Sequence, residues 1–164
     1  MNMAKIVFVL FALCVAPSIV TAKSKEDSPL LLKGRVYCDT CRCGYETSAS
    51  TPLPRAVVGV ECRSRKSSEV TFRKEVVTDS TGHYQIFVHG DRGDDMCDAL
   101  LVKSSDPECS TPNAGRDRAR VILTRNNGMN SNTRFANAMG FLKNTALDSC
   151  QQILQQYQET ESED

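Results

Sequence analysis

The stretch Gly34-Arg35-Val36-Tyr37-Cys38-Asp39-Thr40-Cys41-Arg42 leads from an apolar, strand-like run into a turn and carries two cysteines three residues apart. Outside the first 22 residues, the chain has five more cysteines: Cys43, Cys62, Cys97, Cys109 and Cys150. In an exported chain of this size, such a cysteine density indicates a domain held together by disulfide bonds. Seven cysteines indicate three bonds and one unpaired thiol, and their spacing alone leaves the pairing open.

Residues 1–22 have the features of a secretory signal peptide. Lys5 supplies a positive charge, Ile6 to Val15 form an apolar core, and Val20-Thr21-Ala22 is a small-residue cleavage site. The apolar core is much shorter than the ~20 residues that a membrane-spanning helix needs. We therefore expect cleavage after Ala22, secretion to the extracellular space and no insertion into a membrane.

The charge balance of the mature chain argues against several classes of partner. Removing the signal peptide takes one lysine from 20 basic residues, which leaves 19 basic and 20 acidic residues. A general nucleic-acid or membrane-surface binder would have a basic excess, so we expect neither partner. The length suits one domain, which we place at residues 23–157, and the acidic residues 158–164 are expected to form a disordered tail.

Short β-branched runs separated by turn residues predict an all-β domain. The predicted strands are Leu30–Tyr37, Ala56–Arg63, Val70–Thr78, His83–His89, Ala99–Lys103 and Ala119–Arg125. Turn-forming residues between Thr78 and Tyr84 predict a hairpin in which Gly82 takes a positive φ. Strand alternation after this turn places His83 and His89 on the outer face together with Phe87.

The apolar period changes near the C-terminus. Thr145-Ala146-Leu147-Asp148 resembles a capping box, and Leu147, Cys150 and Tyr157 recur at helical spacing. This pattern predicts a short C-terminal helix with one buried stripe, in which Cys150 ties the helix to the β core.

Cys38-x-x-Cys41-x-Cys43 raises the alternatives of a zinc site or a redox dithiol. A structural zinc site needs four ligands, and the histidines of the chain are separated from this cluster in sequence. A redox C-x-x-C normally begins a helix, whereas this one follows a strand-like run. We therefore predict no catalytic residues, no cofactor and no metal.

Arg116, Arg118 and Arg120 share one parity where the chain enters a predicted strand. They form a candidate contact stripe for a carboxylate or an acidic polysaccharide. The interleaved Asp117 and the near-zero net charge favour the alternative, an ordinary strand edge whose charges oppose aggregation.

The nine-residue stretch quoted first resembles the signature of the pollen Ole e I-like family, plant extracellular proteins named for the major olive-pollen allergen. Later landmarks agree with this resemblance: Val60-Glu61-Cys62, Thr78 to Tyr84, Cys97, Cys109, and Gly140 to Leu147 through Cys150. The resemblance therefore covers essentially the whole mature chain.

The resemblance implies an antiparallel, seven-stranded β-barrel or sandwich with a short C-terminal helix. It also implies disulfide bonds that join Cys38 with Cys109, Cys41 with Cys150, and Cys62 with Cys97. The chain departs from the family pattern at Lys33 and at Cys43, which is left as the unpaired thiol. Met129 removes the glycosylation sequon that some relatives have here, so we expect no N-glycosylation.

For function, the resemblance implies a secreted, non-enzymatic protein that acts through protein–protein interaction in pollen hydration, germination or pollen-tube growth. The expected partner is an extracellular protein, and a receptor ectodomain is one candidate. The alternative is a small-ligand or cell-wall carbohydrate-binding β-barrel. An enzyme is disfavoured because the sequence has neither a G-x-S-x-G motif nor a recognisable cysteine–histidine pair.

Overall fold

The structure, a computed structural model, describes residues 28–161, with side chains described to Tyr157. The predicted signal peptide, residues 1–22, and residues 162–164 of the predicted tail lie outside this range. Ten strands and one helix form within it: β1 Leu30–Asp39, β2 Thr51–Pro52, β3 Val57–Ser64, β4 Val70–Val77, β5 His83–Val88, β6 Asp95–Lys103, β7 Thr111–Pro112, β8 Arg118–Val121, β9 Thr133–Phe135, β10 Met139–Leu142 and α1 Cys150–Glu161. No helix in this part of the chain is long and apolar enough to cross a membrane.

The strands form two sheets. One sheet has the order β4-β3-β6-β8 and is antiparallel throughout. The other is built on β1, whose first half pairs with β5 and β9 and whose second half pairs with β2 and β10, while β7 pairs with β10. The predicted all-β sandwich is therefore confirmed, and the sheets do not close into a barrel. The resemblance implied seven antiparallel strands, whereas the described residues form ten strands and β1 pairs in parallel with β9 and β10.

The core lies between the two sheets and comes from alternate residues of their strands. Leu30 and Leu32 of β1 are buried, and the inward residues of β3 and β5 are Val58, Val60, Cys62, Tyr84, Ile86 and Val88. Burial of each such aliphatic side chain is worth about 1.5–3 kcal/mol. The alternate apolar residues that predicted these strands are thus the residues that fill the core.

The predicted hairpin between Thr78 and Tyr84 is wrong, although the turn itself is present. β4 pairs with β3 and β5 pairs with β1, so the turn carries the chain from one sheet to the other. The buried Thr78 anchors this crossing, since its hydroxyl donates to Leu53 O at 2.7 Å and accepts from Ala56 N at 2.9 Å. Turn-forming residues predict a reversal of direction, but they do not determine whether the flanking strands pair with each other.

Gly82 has the predicted positive φ, at 76°. Gly82 O accepts a hydrogen bond from Val36 N at 2.8 Å, so the turn lies against the middle of β1. A Cβ atom on Gly82 would lie 2.5 Å from Val36 O and 3.1 Å from Leu53 N. The glycine is therefore required both for its φ and for the close approach of two backbone segments.

Gly34, the first residue of the quoted stretch, makes room for a buried tyrosine. Gly34 lies opposite Tyr84 in the β1–β5 pair, and a Cβ atom here would lie 2.3 Å from the Tyr84 hydroxyl oxygen. Burial raises the pKa of Tyr84, whose hydroxyl has no hydrogen-bond partner among the described residues. The lack of a side chain at Gly34 thus leaves room for the Tyr84 ring on the core side of the sheet.

Two predicted boundaries shift at the C-terminus. The helix begins at Cys150 rather than near Thr145, so Leu147 precedes it and is exposed, and only Cys150 of the predicted stripe is fully buried. The helix also runs to Glu161, so the predicted start of a disordered tail after Tyr157 is too early. Gln and Glu are good helix formers, which explains the extension.

Candidate functional site

Three disulfide bonds stabilise the fold. They join Cys38 with Cys109, Cys41 with Cys150, and Cys62 with Cys97, the pairs that the resemblance implies. Cys62 and Cys97 lie directly opposite each other in β3 and β6, whereas the other two bonds fasten loops and the helix to the end of β1. Because Cys38 and Cys41 are each bonded to a distant cysteine, the C-x-x-C pair is not a free dithiol. The described residues hold no group of three or more metal-ligating side chains.

Cys43 is the unpaired thiol, and it lies in a loop organised by a buried carboxylate. Asp39, which is fully buried, accepts hydrogen bonds from the backbone N–H of Cys41 at 3.2 Å, of Cys43 at 3.3 Å and of Gly44 at 2.8 Å. The Cys43 thiol donates to Tyr45 O at 3.3 Å. Burial and the Asp39 carboxylate raise the pKa of Cys43, which disfavours the reactive thiolate.

The three arginines of the predicted stripe are all exposed, and they differ in their contacts. Arg118 and Arg120 share the outer face of β8, and Arg120 Nε lies 2.6 Å from Asp98 Oδ1. Arg116 precedes the strand, and its Nε donates to Gly44 O at 3.2 Å. Arg118 Nε lies 3.9 Å from Oδ2 of the adjacent Asp117, its only ion pair among the described residues. The Arg116 guanidinium thus contacts another loop, and those of Arg118 and Arg120 each have an acidic neighbour.

His83 and His89 lie on the outer face of the β5 segment with Phe87, as the alternation predicted. The nearest partner of the His83 ring is a hydroxyl: Nδ1 lies 3.0 Å from Thr81 Oγ1. Neither histidine belongs to a metal-ligating cluster among the described residues.

An exposed aromatic patch lies on this same outer face, where β5 and β9 flank β1. Phe87 of β5 lies opposite Leu31 and is 50% exposed, while Phe135 of β9 lies beside Lys33 and is 75% exposed. We call the surface formed by Leu31, Lys33, Phe87 and Phe135 the Phe face. Exposed aromatic side chains on one sheet face are typical of surfaces that bind a partner.

The charges around the Phe face are mainly positive. Lys33 lies within it, and Lys74 Nζ reaches its edge and donates to Phe87 O at 3.3 Å. Arg35, the next residue after Lys33 on the same side of β1, forms an ion pair with Glu46. An apolar surface with a cationic border favours a partner that combines apolar side chains with carboxylates.

Of the two aromatic residues of the Phe face, only Phe87 was predicted from the sequence to face outward. Alternation placed Phe87 outside, but the three-residue strand β9 was not predicted, and its pattern is inverted: Arg134 is 4% exposed and Phe135 points outward. Arg134 is tolerated inside because its guanidinium donates to backbone oxygens, including Thr124 O at 2.7 Å and Thr133 O at 3.0 Å. From the sequence alone, an arginine is expected to face solvent and a neighbouring phenylalanine to face the core.

Comparisons with known proteins agree with this fold. The sequence profile described as "Pollen protein Ole e 1 like" matches residues 28–158. The chain is 41% identical over 160 residues to "Pollen allergen Cro s 1" of Crocus sativus, with 95% of each protein covered. It is 36% identical over 152 residues to "Anther-specific protein LAT52" of Solanum lycopersicum, which covers 93% of this chain and 94% of the tomato protein.

A solved structure is also similar. The crystal structure of the major plantain pollen allergen Pla l 1 superposes with a TM-score of 0.67 at 26% identity, and the match covers 75% of this chain and all of the plantain chain. None of these relatives carries the name of an enzyme. From the family profile, the near full-length relatives and the shared fold, we conclude that this chain belongs to the Ole e 1-like family of pollen proteins.

Proposed function

We propose that this protein is a secreted, non-enzymatic protein that binds an extracellular protein partner through the Phe face. Its proposed setting is pollen hydration, germination or pollen-tube growth. The pollen and anther proteins to which the chain is similar support that setting. The disulfide-bonded fold supports an extracellular location, since such bonds persist in oxidising compartments.

The observation that carries the proposal is the joint exposure of Phe87 and Phe135 on one rigid sheet face. Exposing these rings to water is unfavourable, and the neighbouring strand positions do not cover them. Because β1 is paired on both sides along its length, the backbone positions that carry the two rings are fixed. A partner that buries the rings therefore has to order only their side chains and not the backbone.

The border of the surface indicates the chemistry of the partner. Lys33 and Lys74 would attract carboxylates, while the two phenylalanines need apolar contacts. We therefore expect an acidic protein surface with one or more apolar side chains at its centre, and a receptor ectodomain is one candidate. The lysines would mainly raise the association rate, and the phenylalanines would supply most of the binding energy.

Affinity capture followed by a binding measurement tests the proposal. The oxidised protein without its signal peptide is used to capture extracellular proteins from pollen and pistil tissue. Each purified candidate is then titrated against the parent and against the double variant Phe87→Thr, Phe135→Thr. Threonine keeps the strand propensity but removes the ring, so we expect about a tenfold or greater loss of affinity.

A matched control is the variant Val77→Thr. Val77 is 60% exposed, and because Val76 packs on the core, Val77 lies on the outer face of the other sheet. The control should bind each partner as the parent does. Equal loss of affinity in the control, or full binding by the double variant, would contradict the assignment of the Phe face.

A further inference from the structure

A second feature is independent of the Phe face: a guanidinium group with buried N–H groups that lack acceptors. Arg125 lies in the loop between β8 and β9, and its Nε and Nη2 are buried without a hydrogen-bond partner in the described part of the chain. No ion pair of Arg125 is present among these residues either. Buried charged donors without acceptors are unfavourable, so a ligand that supplies acceptors would be stabilised here.

The backbone of Arg125 is held in place by Asp91 in the loop between β5 and β6. Asp91 Oδ2 accepts from Arg125 N at 2.9 Å and from Thr124 Oγ1 at 2.9 Å, and Asp91 Oδ1 accepts from Gly93 N at 2.8 Å. Burial alone would raise the pKa of Asp91, but these hydrogen bonds outweigh it and lower the pKa. The Asp91 carboxylate therefore holds the loop and also interacts electrostatically with the Arg125 guanidinium, whose Nε and Nη2 still lack hydrogen-bond acceptors among the described residues.

A second cation lies beneath the same loop. Arg134 is nearly fully buried, and its partners are the backbone oxygens of Thr124, Ser131 and Thr133 and the side-chain oxygen of Asn127. No carboxylate pairs with it in the described range. Arg125 and Arg134 together place two positive charges at this loop against the Asp91 carboxylate that interacts with Arg125. An anionic group is therefore favoured in the cavity that Arg125 lines and Asp91 does not.

Arg125 lines two small cavities. One has a volume of about 260 Å³ and is lined also by Gly90, Asp91 and Asn126, and the other has a volume of about 180 Å³ and is lined also by Gly128, Met129, Asn130 and Asn132. Both are below the ~300–1,000 Å³ of typical drug-sized sites, so each suits a single small group. The asparagine amides offer both donors and acceptors, and the exposed Met129 offers an apolar surface.

We propose that this site binds a uronic acid unit of an acidic polysaccharide. The Arg125 guanidinium binds the sugar carboxylate through its fork of N–H donors, and Asn130 and Asn132, which line the same cavity, bind hydroxyl groups of the ring. A lone carboxylate from an acidic peptide would satisfy the arginine but would leave the surrounding amides without hydroxyl partners. The site shares no residue with the Phe face, and it is also distinct from the stripe predicted at Arg116 to Arg120.

A nuclear magnetic resonance titration of the oxidised protein without its signal peptide tests this site. The probes are galacturonic acid, trigalacturonic acid and the neutral sugar galactose. We expect saturable shifts of the backbone amides of residues 125–132 with both acidic probes, and weaker or no binding of galactose. Arg125→Gln should lower the affinity for trigalacturonic acid by about tenfold or more, because it removes a charge-assisted contact.

Matched variants separate this site from general charge effects. Arg118→Gln removes the same charge from the exposed face of β8 and should leave binding unchanged. Asn130→Ala keeps Arg125 and alters an exposed side chain, so it should weaken sugar binding even if Arg125→Gln does not fold. The double variant Phe87→Thr, Phe135→Thr should bind trigalacturonic acid as the parent does, which distinguishes this proposal from the proposed function.

Three results would overturn the proposal. The first is full binding of trigalacturonic acid by folded Arg125→Gln or by Asn130→Ala. The second is galactose binding as strong as that of galacturonic acid. The third is displacement of trigalacturonic acid by a short glutamate-rich peptide of higher affinity, which would assign the site to a protein ligand.

Discussion

Replacement of Gly82 by alanine tests how the turn after β4 is fitted against β1. Two costs add at this position. The φ of 76° would strain an L-residue by about 1–2 kcal/mol. The new Cβ would also lie 2.5 Å from Val36 O, a backbone atom that cannot rotate away, and such overpacking typically costs about 1–3 kcal/mol. We therefore expect the free energy of unfolding to fall by about 2–5 kcal/mol.

Gly115→Ala is the matched control for Gly82→Ala. Gly115 has a φ of 83°, but no atom lies within 4 Å of the position that its Cβ would take. The φ strain and the effect of alanine on the unfolded chain are common to both variants and cancel in the comparison. The difference between the two variants, about 1–3 kcal/mol, then measures the close approach of Gly82 to β1.

Urea unfolding followed by circular dichroism, with the disulfide bonds intact, supplies both free energies. A lower midpoint with an unchanged slope would show a loss of stability without a change in the surface exposed on unfolding. If the two variants differed by less than about 0.5 kcal/mol, the contact between the turn and β1 would not be a significant constraint, and the reasoning would be refuted.

Two further predictions concern the cysteines. Cys43→Ser should leave the midpoint of unfolding almost unchanged, because Cys43 forms no disulfide bond. In the parent protein, Cys43 should react slowly with iodoacetamide near neutral pH and faster as the pH rises, because burial raises the pKa of its thiol. Reaction of Cys43 at the rate of a free cysteine would contradict this. The double variant Cys62→Ser, Cys97→Ser opens a loop of sequence separation 35 and should lose about 2–5 kcal/mol, measured by the same urea unfolding, whereas unchanged stability would contradict a structural role for this bond.

The sequence predicted the core of the fold because the strands that fill it follow simple alternation. The burial of Tyr84, Ile86 and Val88 on one face of β5 is an example, and the positive φ of Gly82 follows from turn chemistry. The short strands β2, β7, β9 and β10 were missed because two to four residues are too few to show a period. The sheet partners of β4 and β5 were misassigned because pairing depends on contacts across the whole chain.

The candidate sites were harder to predict, because both depend on tertiary contacts. Phe135 faces outward because its neighbour Arg134 faces inward, where the Arg134 guanidinium donates hydrogen bonds to backbone oxygens. Arg125 was included in a predicted strand, whereas β8 ends at Val121 and leaves it in a loop beside Asp91. No local pattern indicates which arginine lacks a partner.

The most direct test of the proposed protein-binding function is site-specific photo-crosslinking. A benzoylphenylalanine replaces Phe135 in one variant and Val77 in another, and each is irradiated in complex with the partner obtained by affinity capture. Both positions are highly exposed, but they lie on the outer faces of different sheets. If the partner binds the Phe face, an adduct forms from position 135 and none forms from position 77. An adduct from position 77 alone, formed while the complex is intact, would contradict binding at the Phe face.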